Sequence, residues 1–259
     1  MGPRKPGPSD ASAGIDCLLL DLDGTLLDLA ERPDTVRVPE NLPAVLEAVR
    51  DRLDGALALV SGRPIATLDR LLAPLRTAAA GVHGAELRTA PHGPILRRAP
   101  PAALEVARRL LARGSLPSGV LIEDKGTALA VHWRAAGGEP RALVERLLAM
   151  VRESGGALEA VAGKAVLELR GAGFDKGTAV AALLRLPPFS GRRPIVVGDD
   201  RTDLDAFRAA EAAGGVALAV GPTPPGGRRS AFAGPAAVRA WLERAASGRA
   251  LLPVGEEER

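Results

Sequence analysis

Cys17-Leu-Leu-Leu-Asp-Leu-Asp-Gly-Thr-Leu-Leu-Asp28 is the stretch whose reading decides the fold. The run Cys17–Leu20 has the length of a buried strand, and Gly24 marks a turn just beyond it, so Asp21 and Asp23 emerge at the strand's carboxyl end. In an open parallel sheet, ligands sit in the crevice outside those ends. The same rhythm recurs at Leu57–Val60 before Ser61-Gly62-Arg63 and at Ile195–Val197 before Gly198-Asp199-Asp200. Arg37–Asp51 places Val38, Leu42, Val45, Leu46 and Val49 on one helical face after Pro39. Pro64 suits the first turn of a helix carrying Ile65, Leu68, Leu71 and Leu72. Lys176–Leu186 reads as a helix, Val216–Val220 as a strand, and a last helix starts at Pro235. This alternation predicts an α/β fold with a Rossmann-like parallel-sheet core.

Between about Pro94 and Gly173 the pattern changes. A helix at Ala102–Ala112 leads to a hairpin at Val120–Arg134 turning near Lys125-Gly126; a helix at Pro140–Glu153 leads to a second hairpin at Ala157–Arg170 turning at Gly163. Helix, two strands, helix, two strands makes a compact α+β lobe by itself. The expected organisation is a core of residues 15–93 and 174–252, an inserted cap over 94–173, a disordered tail at 1–14 and a frayed end at 253–259. Hinges are expected near Gly93–Arg97 and Gly171–Gly173.

Composition narrows the partners. The chain has 34 Lys+Arg against 31 Asp+Glu, 2% aromatic residues and no Tyr, with Arg spread along its length, so nucleic acid is not an expected partner. Cys17 is the single cysteine, which rules out an internal disulfide. The first residues lack the apolar stretch of a signal peptide and no run reaches membrane-spanning length, so the expectation is a cytoplasmic protein without membrane contact. The three histidines, His83, His92 and His132, are scattered in a way that does not make a zinc site.

Four segments, in order, resemble the haloacid dehalogenase superfamily of phosphotransferases: Asp21-Leu-Asp-Gly-Thr25, Ser61, Lys176, and Gly198-Asp199-Asp200 followed by Asp203. The resemblance implies that Asp21 is a nucleophile attacking phosphorus and that Asp23 protonates the leaving oxygen, then deprotonates water. It implies that Ser61 donates to a phosphoryl oxygen and that Lys176 neutralises charge on Asp21 and the phosphoryl group. Carboxylates crowded around a phosphate dianion need a hard cation, and oxygen donors select Mg²⁺. The implied ligands are the Asp21 carboxylate, the Asp23 main-chain carbonyl and the Asp199 carboxylate, with Asp200 and Asp203 supporting through water or hydrogen bonds. One departure stands out: Leu204 occupies a position that is usually acidic, before Asp205.

Further segments narrow the substrate. Glu123-Asp124-Lys125-Gly126, His132-Trp133-Arg134 and Gly163-Lys164-Ala-Val-Leu-Glu168-Leu-Arg170 resemble the cap motifs of trehalose-6-phosphate phosphatases. So do Ser61-Gly62-Arg63-Pro64 and Gly81-Val82-His83-Gly84-Ala85-Glu86 in the core, and the similarity runs from Leu18 to about Val220. The resemblance implies that Glu123, Lys125, Arg134, Lys164 and Glu168 bind the glucose unit remote from phosphorus. If Lys164–Arg170 is a strand, its period of two puts Lys164, Val166, Glu168 and Arg170 on one side and packs Ala165, Leu167 and Leu169 inward. By itself that pattern equally suits an exposed sheet face with ordinary salt bridges. His83, with Gly84, is read as a substrate contact or as a loop histidine bonded to a carbonyl; Arg63 is read as touching phosphate or glucose, or as an exposed helix-start residue.

The reading that unites these features is a Mg²⁺-dependent phosphatase releasing trehalose and phosphate from a small sugar-phosphate substrate, its cap closing over the disaccharide. It is expected to act as a monomer, with association with a trehalose-phosphate synthase left open. The alternatives are another sugar-phosphate phosphatase of the same superfamily or a non-catalytic sugar-phosphate sensor.

Overall fold

The computed structural model describes residues 16–30, 35–163 and 165–252. The expected tails at 1–14 and 253–259 lie outside the described residues, as does Lys164. The chain divides into two compact units, one of residues 1–96 and 175–259 and one of residues 97–174.

In the first unit, strand β1 (Asp16–Leu20) is buried along its whole length. It pairs in parallel with β2 (Leu57–Val60) on one side and β10 (Arg193–Gly198) on the other. Beyond β2 come β3 (Ala78–Gly81), the antiparallel β4 (Glu86–Arg88) and β5 (Leu96–Arg97); beyond β10 come β11 (Val216–Val220) and β12 (Ser230–Phe232). Near-continuous apolar strands such as β1 and β2 are what a sheet covered on both faces requires. The helices of this unit are α1 (Leu42–Arg52), α2 (Ile65–Leu71), α5 (Lys176–Leu183), α6 (Asp203–Ala212) and α7 (Pro235–Ala246).

The β1–β10 register places the site. Leu20 lies opposite Val197 and Asp16 opposite Arg193, whose Nε donates to Asp16 Oδ1 at 2.7 Å. Asp21 N–H extends the ladder to the Val197 carbonyl at 3.0 Å. Parallel neighbours end at the same edge, so the loops carrying Asp21 and Asp199 leave the sheet side by side.

Several boundaries differ from those expected. α1 begins at Leu42, with Pro43 in its first turn, and Val38 packs on the core from outside the helix. β3 is Ala-Ala-Ala-Gly, which lacks the β-branched and aromatic residues that announce a strand. α6 lay hidden behind the acidic motif, although Ala206, Phe207 and Ala210 form its buried stripe.

The second unit holds a four-stranded antiparallel sheet in the order β6 (Leu121–Asp124), β7 (Ala128–His132), β9 (Val166–Gly171), β8 (Leu158–Gly163). Leu129, Val131, Leu167 and Leu169 on one face form a separate apolar cluster with Leu104, Ala107 and Leu111 of α3 (Ala102–Arg113) and Val144 and Leu147 of α4 (Arg141–Glu153). Among the described residues no helix is long and apolar enough to cross a membrane.

Leu19 is fully buried at the middle of the first sheet. Leu19→Ala removes its methyl contacts and leaves a cavity, and is expected to cost about 2–5 kcal/mol. Urea unfolding should show a lower midpoint with an unchanged slope.

Candidate active site

The loop after β1 closes on itself: Leu26 and Leu27 N–H groups donate to the Leu22 carbonyl at 2.8 and 2.9 Å, and Gly24 N–H to the Leu27 carbonyl at 2.7 Å. Gly24 has φ +81°, and a Cβ there would lie 2.1 Å from Asp199 Oδ2. Glycine is therefore needed twice, for the backbone angle and for the approach of Asp199. Thr25 Oγ1 lies 3.0 Å from Asp199 Oδ1 and 3.3 Å from Asp21 Oδ2, and its one hydrogen can serve either.

Lys176 opens α5, whose start is fixed by Asp175: its carboxylate accepts from Thr178 N–H at 2.7 Å in a capping box. The buried Lys176 Nζ donates to Asp21 Oδ1 at 2.6 Å and to Asp203 Oδ1 at 2.7 Å. Asp203 sits in the first turn of α6, and its Oδ2 accepts the N–H groups of Asp199 and Asp200 at 3.1 and 3.0 Å. Both Asp203 oxygens are thus occupied, and this residue joins the β10 loop to Lys176.

The cluster carries an excess of negative charge. Burial raises the Asp21 carboxyl well above its usual range; Lys176 opposes the rise, and Asp203 and Asp199 reinforce it. Asp199 is pushed up to about 6, first by burial and then by Asp203, against the Thr25 hydrogen bond and Lys176. For Lys176, burial works against the ammonium, but Asp203 and Asp21 outweigh it and hold the proton more tightly than in water. Carboxylate oxygens of Asp21, Asp199 and Asp203 all lie within 4.8 Å of one another. An oxygen-only donor set whose own ammonium balances too little of its charge suits a hard divalent cation. Asp200 is exposed and its carboxylate is outside this group of three.

A second network lies in the same unit. Ser61, buried at the end of β2, donates its N–H to the Ala80 carbonyl at 2.9 Å, and its Oγ accepts Arg63 N–H at 3.1 Å. The Arg63 guanidinium reaches Asp23, with Nε 2.6 Å from Oδ2 and Nη2 2.8 Å from Oδ1. Val82 and His83 both take positive φ, +46° and +52°, and their N–H groups donate to the Arg63 and Ser61 carbonyls, each at 3.1 Å. The His83 ring lies against Gly62, where a Cβ would meet Nε2 at 2.6 Å. Gly84 (φ +99°) packs on α5, 3.1 Å from the Ala179 methyl at its notional Cβ.

In the second unit, Lys125 Nζ donates to Glu168 Oε2 at 2.6 Å, with both side chains largely buried. Glu168 lies opposite Ala130 of β7 and Val161 of β8, on the face turned away from the Leu167–Leu169 cluster; that face also carries Glu123, opposite Ala130, and the Glu159–Arg170 ion pair. Glu123 Oε2 lies 3.0 Å from His132 Nε2, and Arg134 is exposed at the start of a 3₁₀ turn, Arg134–Ala136.

Sequence reasoning missed two contacts: the Thr25 hydroxyl between the two carboxylates, and the Arg63–Asp23 pair. Thr25 could have been singled out as the hydroxyl next to Gly24; no local pattern announces a pairing across 40 residues. Leu204 also finds an explanation, since its side chain rests on Gly226, with Cδ2 3.0 Å from the notional Cβ of that glycine.

The sheet order and the inserted α+β unit define a class of fold shared with a haloacid dehalogenase-like hydrolase from Bacteroides thetaiotaomicron, whose crystal structure aligns at TM-score 0.58 and 17% identity over 80% of this chain and 89% of that one. Within that class the chain belongs to the trehalose-phosphatase family, whose model matches residues 19–232. It is 45% identical over 209 residues to a probable trehalose-phosphate phosphatase of Sinorhizobium fredii, covering 80% of this chain and 78% of that one. It is 36% identical over 226 residues to the trehalose-6-phosphate phosphatase of Escherichia coli, covering 86% and 84%. The C-terminal domain of the C. albicans trehalose-6-phosphate phosphatase shares the fold at TM-score 0.73 and 20% identity, over 92% of this chain and 95% of that one.

The electrostatics give a signed expectation. Asp199 titrates near 6 in the folded chain, against about 3.9 when unfolded. The folded state therefore binds the extra proton, and without divalent cation stability falls as pH rises through that window and stays lower above it. Asp199→Asn should raise metal-free stability at pH 7–8 by about 1–3 kcal/mol and flatten its fall between pH 4 and 6. Denaturant titrations in chelator across that range check this.

Proposed function

We propose that this chain hydrolyses trehalose 6-phosphate to trehalose and inorganic phosphate through an aspartyl-phosphate on Asp21, with Mg²⁺ as cofactor. The observation that carries the reading is the joining of buried Asp21, Asp203 and Lys176 with half-buried Asp199 in one cluster at the strand ends of a chain from the trehalose-phosphatase family. Asp21 and Asp199, with the Asp23 main-chain carbonyl, would hold Mg²⁺, supported by Asp203 and by Asp200; when bound, the ion screens the carboxylates from the phosphate dianion and draws charge from its oxygens.

Lys176 holds Asp21 Oδ1 and so fixes the orientation of the nucleophile. In the first step an Asp21 oxygen bonds to phosphorus as the ester P–O bond breaks, and Asp23 gives its proton to the leaving sugar oxygen. In the second, water oxygen bonds to phosphorus, the Asp21–phosphorus bond breaks, and the water's proton passes to Asp23. Ser61, whose Oγ already accepts from Arg63 N–H, keeps its own hydrogen for a phosphoryl oxygen, and N–H groups of the Leu22–Thr25 loop add donors where charge accumulates.

On the second unit, the Lys125–Glu168 pair and Glu123 offer acceptors and donors at fixed spacing, the chemistry that sorts sugar hydroxyls. Arg134 and Lys164 belong to the same proposed sugar-binding set; His83 and Gly84 of the first unit are proposed separately as substrate contacts. The reading places the enzyme in the cytoplasm, an expectation that rests on the sequence.

Phosphate release from a panel of sugar phosphates, with Mg²⁺ or with chelator, tests the reading: trehalose 6-phosphate should be the preferred substrate and chelator should stop turnover. Asp21→Asn should abolish turnover while the protein stays folded by circular dichroism; normal turnover by that variant would refute the nucleophile. Glu168→Ala should lower kcat/KM on trehalose 6-phosphate by at least about tenfold more than on p-nitrophenyl phosphate, the difference that one lost pair of sugar hydrogen bonds to a charged group supports. Equal losses would remove Glu168 from recognition.

A further inference from the structure

The sequence reads Arg63 as touching phosphate or glucose, or as an exposed helix-start residue; in the structure its guanidinium meets Asp23. Nε and Nη2 meet the two oxygens of Asp23 at 2.6 and 2.8 Å, a fork-to-fork contact that fixes the plane of the carboxylate as well as its position. The side chain of Arg63 is 14% exposed and that of Asp23 30% exposed, so the pair is shielded but open on the Asp23 side. Two of the five guanidinium N–H donors are engaged in this way.

We infer that Arg63 is a positioning residue for proton transfer, holding the Asp23 carboxylate in line with the leaving oxygen and the incoming water. The inference rests on the proposed role of Asp23 as the group that gives and takes the proton.

The surrounding backbone shows why Arg63 can act as a fixed arm. Its N–H is held by Ser61 Oγ at 3.1 Å and its carbonyl accepts Val82 N–H at 3.1 Å. Val82 is β-branched yet has φ +46°, and His83 follows at +52°. Such conformations cost on the order of 1–3 kcal/mol each and persist only where their surroundings hold them. Here they bring two N–H groups onto the carbonyls of residues 61 and 63 and press the His83 ring onto Gly62. The strained turn, the Ser61 hydroxyl and the Arg63 main chain thus form one rigid bracket, and its outer end is the guanidinium on Asp23. Asp23 itself lies within the tight loop closed by the Leu22–Leu27 hydrogen bonds, which fix its main chain and leave its side chain to be oriented by Arg63. Misplacement of a reacting group by about 1 Å can cost on the order of 10²-fold in rate.

A positioning role acting through Asp23 leaves a signature that neither a phosphate contact nor a purely structural role produces. Trehalose 6-phosphate has a sugar alkoxide as leaving group and needs its proton in the first step; p-nitrophenyl phosphate has a leaving group stable without one, and needs Asp23 only when water attacks the aspartyl-phosphate. Rapid-mixing kinetics with Mg²⁺ on the full chain should therefore compare wild type, Arg63→Ala, Arg63→Lys and Asp23→Asn on both substrates. Arg63→Ala is expected to lower kcat on trehalose 6-phosphate by on the order of 10²-fold, with KM changed less than about threefold. On p-nitrophenyl phosphate it should show a burst of nitrophenolate close to one equivalent, whose rate falls at least tenfold less, followed by slow turnover. Arg63→Lys, which offers one contact in place of two, should fall between.

Equal loss on both substrates, or a KM that rises on both, would overturn the inference and return Arg63 to phosphate binding. If Asp23→Asn shows the burst and Arg63→Ala does not, the inference fails while the role of Asp23 stands. If Asp23→Asn shows no difference between substrates, the proton-transfer role of Asp23 itself fails, and the inference with it. Should Arg63→Ala melt far below wild type, Arg63→Lys carries the comparison alone, and absence of any difference between substrates in that variant overturns the inference.

Discussion

Among the described residues, Lys176 is the one cation hydrogen-bonded within the group of buried or half-buried carboxylates of Asp21, Asp199 and Asp203, and the geometry of this acidic edge depends on it. Like charges about 4 Å apart repel by about 4 kcal/mol in surroundings of intermediate polarity, so three acidic groups at one strand edge would disperse or take up protons without a counter-charge. Lys176 ties two of them directly. The third, Asp199, is drawn in by Thr25 and by its own N–H on Asp203. Burial first, and then the neighbouring carboxylates, raises the proton affinities of Asp21 and Asp199, and a divalent cation is the natural complement to the charge that remains.

Everything that positions the cluster is ordinary fold chemistry. Apolar strands buried on both faces pair in parallel, and the register of β1 against β10 brings two acidic loops to one edge. The capping box at Asp175 starts α5 where Lys176 can reach inward. Asp203 uses the first turn of α6 to bind the β10 loop from above. Gly24 allows the β1 loop to turn and Asp199 to approach it closely. A change at any of these places would disturb charges that no single one of them carries.

The second unit solves a different problem with the same means. One face of its sheet joins α3 and α4 in an apolar cluster, while the other holds Lys125 and Glu168 as a shielded ion pair beside Ala130. Such a pair is a weak source of stability, because desolvating both charges offsets their attraction. What the pair does supply is a donor and an acceptor held at fixed spacing.

Much of this was legible in the chain. Apolar runs leading into Asp21, Ser61 and Gly198 announced a parallel α/β core, and the alternation at Lys164–Arg170 placed Leu167 and Leu169 on one inward face, because these signals are local and follow the backbone period; the acidic segments were legible through their resemblance to a known family. Weak local signals hid β3 and α6, one made of alanines and the other masked by an acidic motif. Only the folded chain decided that Arg63 meets Asp23, that Thr25 spans two carboxylates, and that Val82 and His83 adopt left-handed backbones to brace the Ser61 loop. The physical reason is distance along the chain: a contact between side chains tens of residues apart leaves no periodic trace in the sequence, and exists only once the sheet has set the register that brings its ends together.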